Sequence, residues 1–583
     1  MLQQLRAMCY DSILAKKLWT TQISILGKSE GEKVMNCDFG YVDIAFKNGS
    51  VVTIDSANTI SEAVGIKGNK IVVVGSNAEV ETIINDKTTV IDLQGRSLLP
   101  GFIDTHYHPI LNGFFGKDED AAIIATGYDN CQSIKDIQNL IKKAAAKRKP
   151  GAWISMMGYD QNRLAEKRHP TLEELDEAAP NNPVQCMRTC GHVCIYNSKA
   201  LETVGIRNAA DAANFPCNEI VVENGSLTGM VLDHTHFHIW SKVDYTEEQQ
   251  FKAAMYSNKL LLESGITSIH DLGECDKPSY HIMQKLCRER KFKPRNYMVL
   301  HSIYGKPASL EDVDHFLALG LMTGIGDDYF RIGSCKFMID GGTSGPSCAT
   351  RKPYCHAPNV PGILGWERKE VAEYIKKIND AECQCTSHAV GDLAIEFMVE
   401  GYEKAFATNP RPDLRHRIEH CAITDQDLID RMAKLGVCPS CNPGFLAWNG
   451  TNYTKYYGDR MRYFFALRSM IDAGVMVSIG SDAPSGPLNS MSILDACVNR
   501  TDRTNDKPVD QTQAITLMEA IRLYTYNGAY ASFEEKKKGS IEIGKLADLV
   551  VLSDNILSVS KDKIRDVKVD LTMIDGIVEY ERQ

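Results

Sequence analysis

Eight short apolar runs, each closing on a polar or thiol residue, constrain this chain more than any other feature. The first leads through Phe102 to His108. The others are Gly265–His270, Tyr297–His301, Arg331–Asp340, Gln384–His388, Arg415–His420, Val437–Cys441 and Val475–Asp482. Helix-like segments lie between them: Thr246–Glu263, Asp276–Arg290, Leu310–Leu319, Arg368–Asp380, Leu393–Thr408, Asp425–Leu435 and Tyr463–Ala473. Strand–helix alternation predicts parallel strands joined by crossover helices. Eight strands is the count of a (β/α)8 TIM barrel, in which chemistry sits at the strands' C-terminal ends.

The first run carries the sharpest chemical signal. Leu98–Pro109 reads Leu-Leu-Pro-Gly-Phe-Ile-Asp-Thr-His-Tyr-His-Pro. Residues two apart on a strand share a face, so His106 and His108 stand side by side, with Asp104 behind them. Two imidazoles at a strand's end make half of a divalent-metal site. The later runs supply candidates for the other half at the same place: Lys336, His388, His420 and Asp482. Singly, each has a plain structural explanation, as a core histidine, an edge lysine or a helix-capping aspartate. Jointly, six such residues in one barrel pattern read as a site.

The rest of the chain frames the barrel. Residues 39–98 are short β-rich runs with turn signals at Asn48-Gly49 and Gly68-Asn69. Residues 536–583 return to short strands, Leu549–Leu552, Val567–Ile574 and Gly576–Tyr580. The two ends are expected to pair into one composite β-sandwich domain, flanking a barrel over residues 99–535. A helix is expected over Ile515–Tyr526. A long insertion, residues 110–244, interrupts the barrel after its first strand. It holds a helix (Ser133–Lys147), a strand-like stretch (Ala152–Gly158) and several prolines, and insertions there build pocket walls or lids.

Bulk properties narrow the partners. A net charge of −10 without a basic block argues against nucleic acid. No apolar run reaches the roughly 18 residues that a membrane-spanning helix needs. Residues 1–38 lack a clean apolar core and a small-residue cleavage site, so they read as an N-terminal extension rather than a signal peptide. The scattered 18 cysteines read as reduced thiols in a cytoplasmic protein, and Cys438-Pro-Ser-Cys441 has no second pair to complete a metal site.

Taken together, the motifs resemble the amidohydrolase superfamily. Leu-Leu-Pro-Gly-Phe-Ile-Asp-Thr-His-Tyr-His is similar to its first-strand motif, and Gly544-Lys-Leu-Ala-Asp-Leu-Val-Val-Leu to its C-terminal β-domain signature. Gly265-Ile-Thr-Ser-Ile-His-Asp, the Lys336 run with Asp340-Gly341, His388-Ala-Val-Gly-Asp and His416-Arg-Ile-Glu-His resemble the amidohydrolase-3 branch, which includes N-substituted formamide deformylases. The resemblance spans residue 39 to the end. It implies that His106 and His108 bind the more buried metal and that His388 and His420 are further ligands. Lys336 stands where a carboxylated lysine bridges two metals. Asp482 stands where an aspartate is both ligand and proton shuttle. Unmodified, Lys336 favours a single metal. Zinc is the default for imidazole-rich sites, with iron or manganese as alternatives.

The implied activity is hydrolysis of a non-peptide C–N bond, an amide or formamide, in a small molecule. A deaminase, or a cyclic-amide or ester hydrolase, is the alternative on the same scaffold. A metal-free scaffold relative and a thiol-based enzyme are the alternatives of other classes. A homo-oligomer is compatible with the sequence. His192, in Cys-Gly-His-Val-Cys-Ile-Tyr-Asn-Ser, matches a family stretch whose histidine faces the active site, where it would hold the substrate carbonyl oxygen. Tyr159 and Asp160 are further candidates for the pocket wall. His270 and Asp271 read as residues that orient ligands. His416 shares the face of His420 at greater depth and reads as structural. Asp233-His-Thr-His-Phe-His238 repeats the spacing of two without the Pro-Gly-Phe-Ile-Asp lead, as a strand or helix start.

Overall fold

The computed structural model describes residues 40–116, 120–127, 130–215, 219–273, 277–301, 311–360 and 362–583. The expected N-terminal extension, 1–38, lies outside these, as does Leu310 at the start of one expected helix. Among the described residues, no helix is long and apolar enough to cross a membrane.

All eight expected barrel strands are present. They are β1 (Phe102–Tyr107), β2 (Ile266–Asp271), β3 (Arg295–His301), β4 (Phe330–Met338), β5 (Cys385–Ala389), β6 (Arg417–His420), β7 (Cys438–Cys441) and β8 (Ser478–Ile479). They pair in parallel in chain order. Both faces of such a sheet are covered, which is why its strands read as apolar runs. The ring closes where β8 meets β1. Asp482 N–H donates to His106 O (2.7 Å), and Ser481 N–H to the Asp104 carboxylate (2.9 Å). Gly480 is needed at this seam, since a Cβ there would lie 2.5 Å from the His106 nitrogen.

The chain ends meet in two sheets. Leu549–Leu552 pairs antiparallel with Ser97–Pro100 inside a six-stranded sheet. A four-stranded sheet of N-terminal strands packs on it through Phe46, Val64 and Ile66 against Leu98, Leu549 and Met573. The C-terminal motif also ties this unit to the barrel. The Asp548 carboxylate accepts from Arg295 at the start of β3 (2.7 and 3.0 Å), both side chains buried.

Three elements differ from expectation. The insertion builds a seven-stranded mixed sheet rather than one strand. Its strands alternate with period two, so Met156 and Cys186 enter the insertion's own core while Met157 and Met187 face the barrel mouth. The helix expected over Ile515–Tyr526 is two, Leu517–Leu523 and Tyr526–Ala531, broken at Thr525 (φ −134°, ψ −84°). A helix at Gly444–Tyr457 follows β7, where the sequence offers glycine, asparagine, threonine and tyrosine rather than strong helix formers.

The deeper of the paired histidines is structural, but on the other face. His416 accepts from Cys385 N–H at Nδ1 and donates from Nε2 to Asn379 Oδ1, both at 3.0 Å, and its ring stacks on Tyr402 of the outer helix layer. His420, the last residue of β6, has φ +67°, which frees it from the alternation. Burial pushes His416 down to about 3, from 6.5. The unfolded chain therefore takes up this proton first. The stability tied to neutral His416 is full above about pH 6.5 and drains as pH falls toward about 3. Tm is expected to fall through that window, and His416→Gln to flatten part of the slope. An unchanged slope in the variant would exclude His416 as a site of acid attack.

Candidate metal centre

His106, His108, His192, Lys336, His388, His420 and Asp482 line one cavity at the C-terminal ends of the barrel strands. The imidazoles form an arc. Ring centroids step 5.5 Å from His108 to His106, 4.6 Å to His420, 4.4 Å to His388 and 4.9 Å to His192.

The strand ends set this arrangement. His106 is still in β1, whereas His108 is the cap residue of the next helix. Asp482 follows β8 with φ +54°, a left-handed turn that sends its carboxylate back across the seam. Its Oδ1 lies 3.4 Å from Nε2 of both His106 and His108, and Oδ2 lies 3.9 Å from His420 Nδ1. One nitrogen of each ring is held from outside. His106 Nδ1 meets the Glu419 carboxylate (2.8 Å), His108 Nδ1 meets Gly273 O (3.2 Å), and His420 Nδ1 meets Asn442 Oδ1 (2.8 Å). His388 Nε2 faces Gly341 O (3.3 Å). Such contacts orient a ring and select its tautomer.

The electrostatics favour neutral rings. Burial, then the Lys336 ammonium and neighbouring rings, pushes His106 well below the ordinary imidazole value. Burial with His106 and Lys336 does the same for His420, and burial with the rings of His420 and His192 for His388. Burial alone would raise Glu419, yet Arg417 and Lys336, with hydrogen bonds from Thr386 and Arg417, hold it below the usual carboxylate range.

This donor set fits a divalent cation. Among the described residues, the ligand atoms of His106, His108 and Asp482 all lie within 4.8 Å of one another. His301, at the end of β3, lines the same cavity, is 7% exposed, and has no hydrogen-bond partner on either ring nitrogen. It pairs in register with Lys336 on β4. Buried polar atoms without partners mark places where something else binds.

Several functional neighbours were not legible beforehand: His301, Glu419, Asn442 and Asp233. His301 carried a usable signal, since it ends a barrel run as His388 does. Asp233 is fully buried and accepts from His192 Nδ1–H at 2.6 Å, which turns His192 Nε2 toward the cavity. A Cβ on Gly342 would lie 2.9 Å from His192 Cδ2, so glycine there leaves room for the ring.

The remaining residues singled out in the sequence lie off the cavity lining. Tyr159 lies in the insertion core with its hydroxyl on His169 (2.9 Å). Asp160 pairs with Arg188 (3.0 Å) and lines a separate small hollow. His270 faces the barrel interior, where Nδ1 meets Arg417 (2.6 Å), away from the metal-site rings. Asp271 accepts from Gly273 N–H (3.1 Å) and so supports the loop whose carbonyl holds His108. The histidine triple is part of the helix Asp233–Trp240, where residues two apart diverge. His236 is buried on Tyr196 (2.7 Å) and His238 packs on Phe215. Cys438 and Cys441, three apart on β7, point to opposite faces, and both are free and buried.

The chain is similar to several known proteins. The sequence profile described as the amidohydrolase family matches residues 89–580. The chain is 28% identical over 562 residues to the N-substituted formamide deformylase of Arthrobacter pascens, covering 93% of this chain and 98% of that protein. It is 26% identical over 529 residues to the protein LONG AFTER FAR-RED 3 of Arabidopsis thaliana, covering 88% and 87%. In fold it resembles the crystal structure of an uncharacterized metal-dependent hydrolase from Pyrococcus horikoshii, with a TM-score of 0.69 at 22% identity, covering 89% of this chain and 99% of that one.

Proposed function

The chain belongs to the amidohydrolase family, a family of hydrolases acting on C–N bonds, and on that premise we propose that it cleaves a non-peptide amide or formamide in a small molecule. The observation that carries this reading is the placement of Asp482 Oδ1 3.4 Å from Nε2 of both His106 and His108 in a cavity ringed by imidazoles. The amide preference rests on similarity to a formamide deformylase along nearly the whole chain.

In this reading His106, His108 and Asp482 hold one divalent metal. His388 and His420 serve a second when Lys336 is carboxylated, because the carbamate turns a repelled cation into an anionic ligand. Zinc is the default metal for such rings. A divalent metal, when bound, supplies Lewis acidity that polarises a carbonyl and lowers the pKa of water toward about 7. Asp482 takes the proton released as water attacks and returns it to the leaving nitrogen. His192, oriented at Nδ1 by the Asp233 carboxylate, presents Nε2 to the substrate carbonyl group. Met157, Met187 and Trp240 exclude bulk water. A cytosolic location suits the 14 described cysteines, all of them free.

Metal removal tests the reading. Protein purified without chelator is expected to contain about one or two equivalents of divalent metal and to hydrolyse N-substituted amides. Prolonged chelation is expected to abolish turnover, and added metal to restore it. His108→Ala should lose metal while remaining folded. A folded wild type that binds no divalent metal under any loading condition would sink the proposal.

A further inference from the structure

The cavity has two lobes, which meet over His192, His388, His420 and Asp482. The first is walled by Leu111, Met157, Met187, Phe237, Trp240 and Met338. The second is walled by Thr343, Ser344, Asn449 and Tyr453 together with the apolar Val390 and Phe445. Lys336 and Asp482 carry the only ammonium, guanidinium or carboxylate groups among the described lining residues, and both stand at the metal centre.

The second lobe is built for hydrogen bonding without net charge. Asn449 is 6% exposed, and its amide oxygen has no hydrogen-bond partner. An amide side chain offers both a donor and an acceptor, so leaving it buried and unmet is costly unless a ligand meets it. Ser344 Oγ accepts from Arg188 Nη1 (2.8 Å), which leaves its own proton to donate. The Arg188 charge is already met by Asp160 at 3.0 Å, so it does not call for an anionic ligand. Thr343 Oγ1 and Tyr453 OH bond each other (3.2 Å), and only one of their two hydroxyl protons is used in doing so. A one-carbon acyl group such as formyl has no atoms to place in this lobe.

Resting on the reading of this cavity as the substrate site, we propose that the second lobe binds a neutral hydrogen-bonding group of the substrate, a hydroxyl or a carboxamide. The preferred substrates are then amides with an apolar group on one side of the scissile bond and a neutral polar group on the other. Asn449 and Ser344 set that preference.

Ketones, in which CH2 replaces the amide nitrogen, test this without requiring hydrolysis. Binding to the metal-loaded protein is measured by calorimetry for two pairs, one for each orientation of the amide. The first pair is hydroxymethyl phenylpropyl ketone against methyl phenylpropyl ketone. The second is benzyl hydroxyethyl ketone against benzyl ethyl ketone. At least one hydroxylated member is expected to bind about tenfold tighter than its partner, as one buried hydrogen bond allows. Asn449→Ala should bring that ratio close to one, and Ser344→Ala serves the same purpose if the first variant does not fold. No preference in either pair, or a preference that survives both variants, overturns the proposal. Failure to hydrolyse any amide would count against the catalytic reading instead, because the binding ratio is read independently of turnover.

Discussion

Asp482→Asn is expected to lower kcat by about 10²–10⁴-fold, the usual contribution of a positioned acid–base group, with Tm close to wild type. The substitution is nearly isosteric. It also suits the backbone, because residue 482 has φ +54° and asparagine tolerates the left-handed region as well as aspartate does. Asp482 N–H would still donate to His106 O across the barrel seam. What is lost is the anionic oxygen 3.4 Å from His106 and His108 Nε2, hence the group that carries a proton from water to the leaving nitrogen. KM should change far less than kcat, because the apolar lobe and His192 remain. Metal content distinguishes loss of proton transfer from loss of a ligand. A metal-replete variant retaining more than about a tenth of wild-type kcat would exclude Asp482 as the proton carrier.

Glu419→Ala is expected to cost about 3–5 kcal/mol of stability and about 10–100-fold in metal affinity. Glu419 and Arg417 are both fully buried and face each other inside the barrel, with Arg417 Nε on Oε1 (2.9 Å) and Nη2 on Oε2 (3.1 Å). Thr386 donates to Oε1 (2.7 Å), and His106 meets Oε2 (2.8 Å). Removing the carboxylate leaves a guanidinium in the interior with only the Thr105 carbonyl and His270 as partners. It also releases the outer nitrogen of His106. The stability loss is read by chemical unfolding and the affinity by competition with a chelator. The double variant Arg417→Met/Glu419→Leu should lose less stability than Glu419→Ala, because the charge leaves with its partner. Its metal affinity should stay low. Equal stability loss in the single and double variants would show that packing, and not the stranded charge, sets the cost.

Much of the barrel was legible because its signal is local. Each strand buries both faces, so it reads as an apolar run, and each ends where polar side chains reach the mouth. His106, His388, His420 and Asp482 stood out on that basis, and so could His301 have done. The gaps have distinct causes. Alternation places His416 and His420 on one face only for an extended chain, and φ +67° at His420 breaks that condition. The triple at 234–238 keeps the spacing of two but lies on a helix, where such spacing separates side chains. The helix Gly444–Tyr457, which brings Asn449 and Tyr453 to the second lobe, runs against its own propensities. Buried Tyr453, Tyr456 and Leu446 hold it through packing.

The sequence by itself determined which side chains stand at the strand tips and in what order, because strand and helix periodicities are properties of neighbouring residues. Only the tertiary structure decided which ring nitrogen of each histidine is held and which faces the cavity. Glu419, Gly273, Asn442 and Asp233 make that choice from other elements, and they reach the rings only once β8 closes on β1 and the left-handed residues at 420 and 482 turn the chain inward.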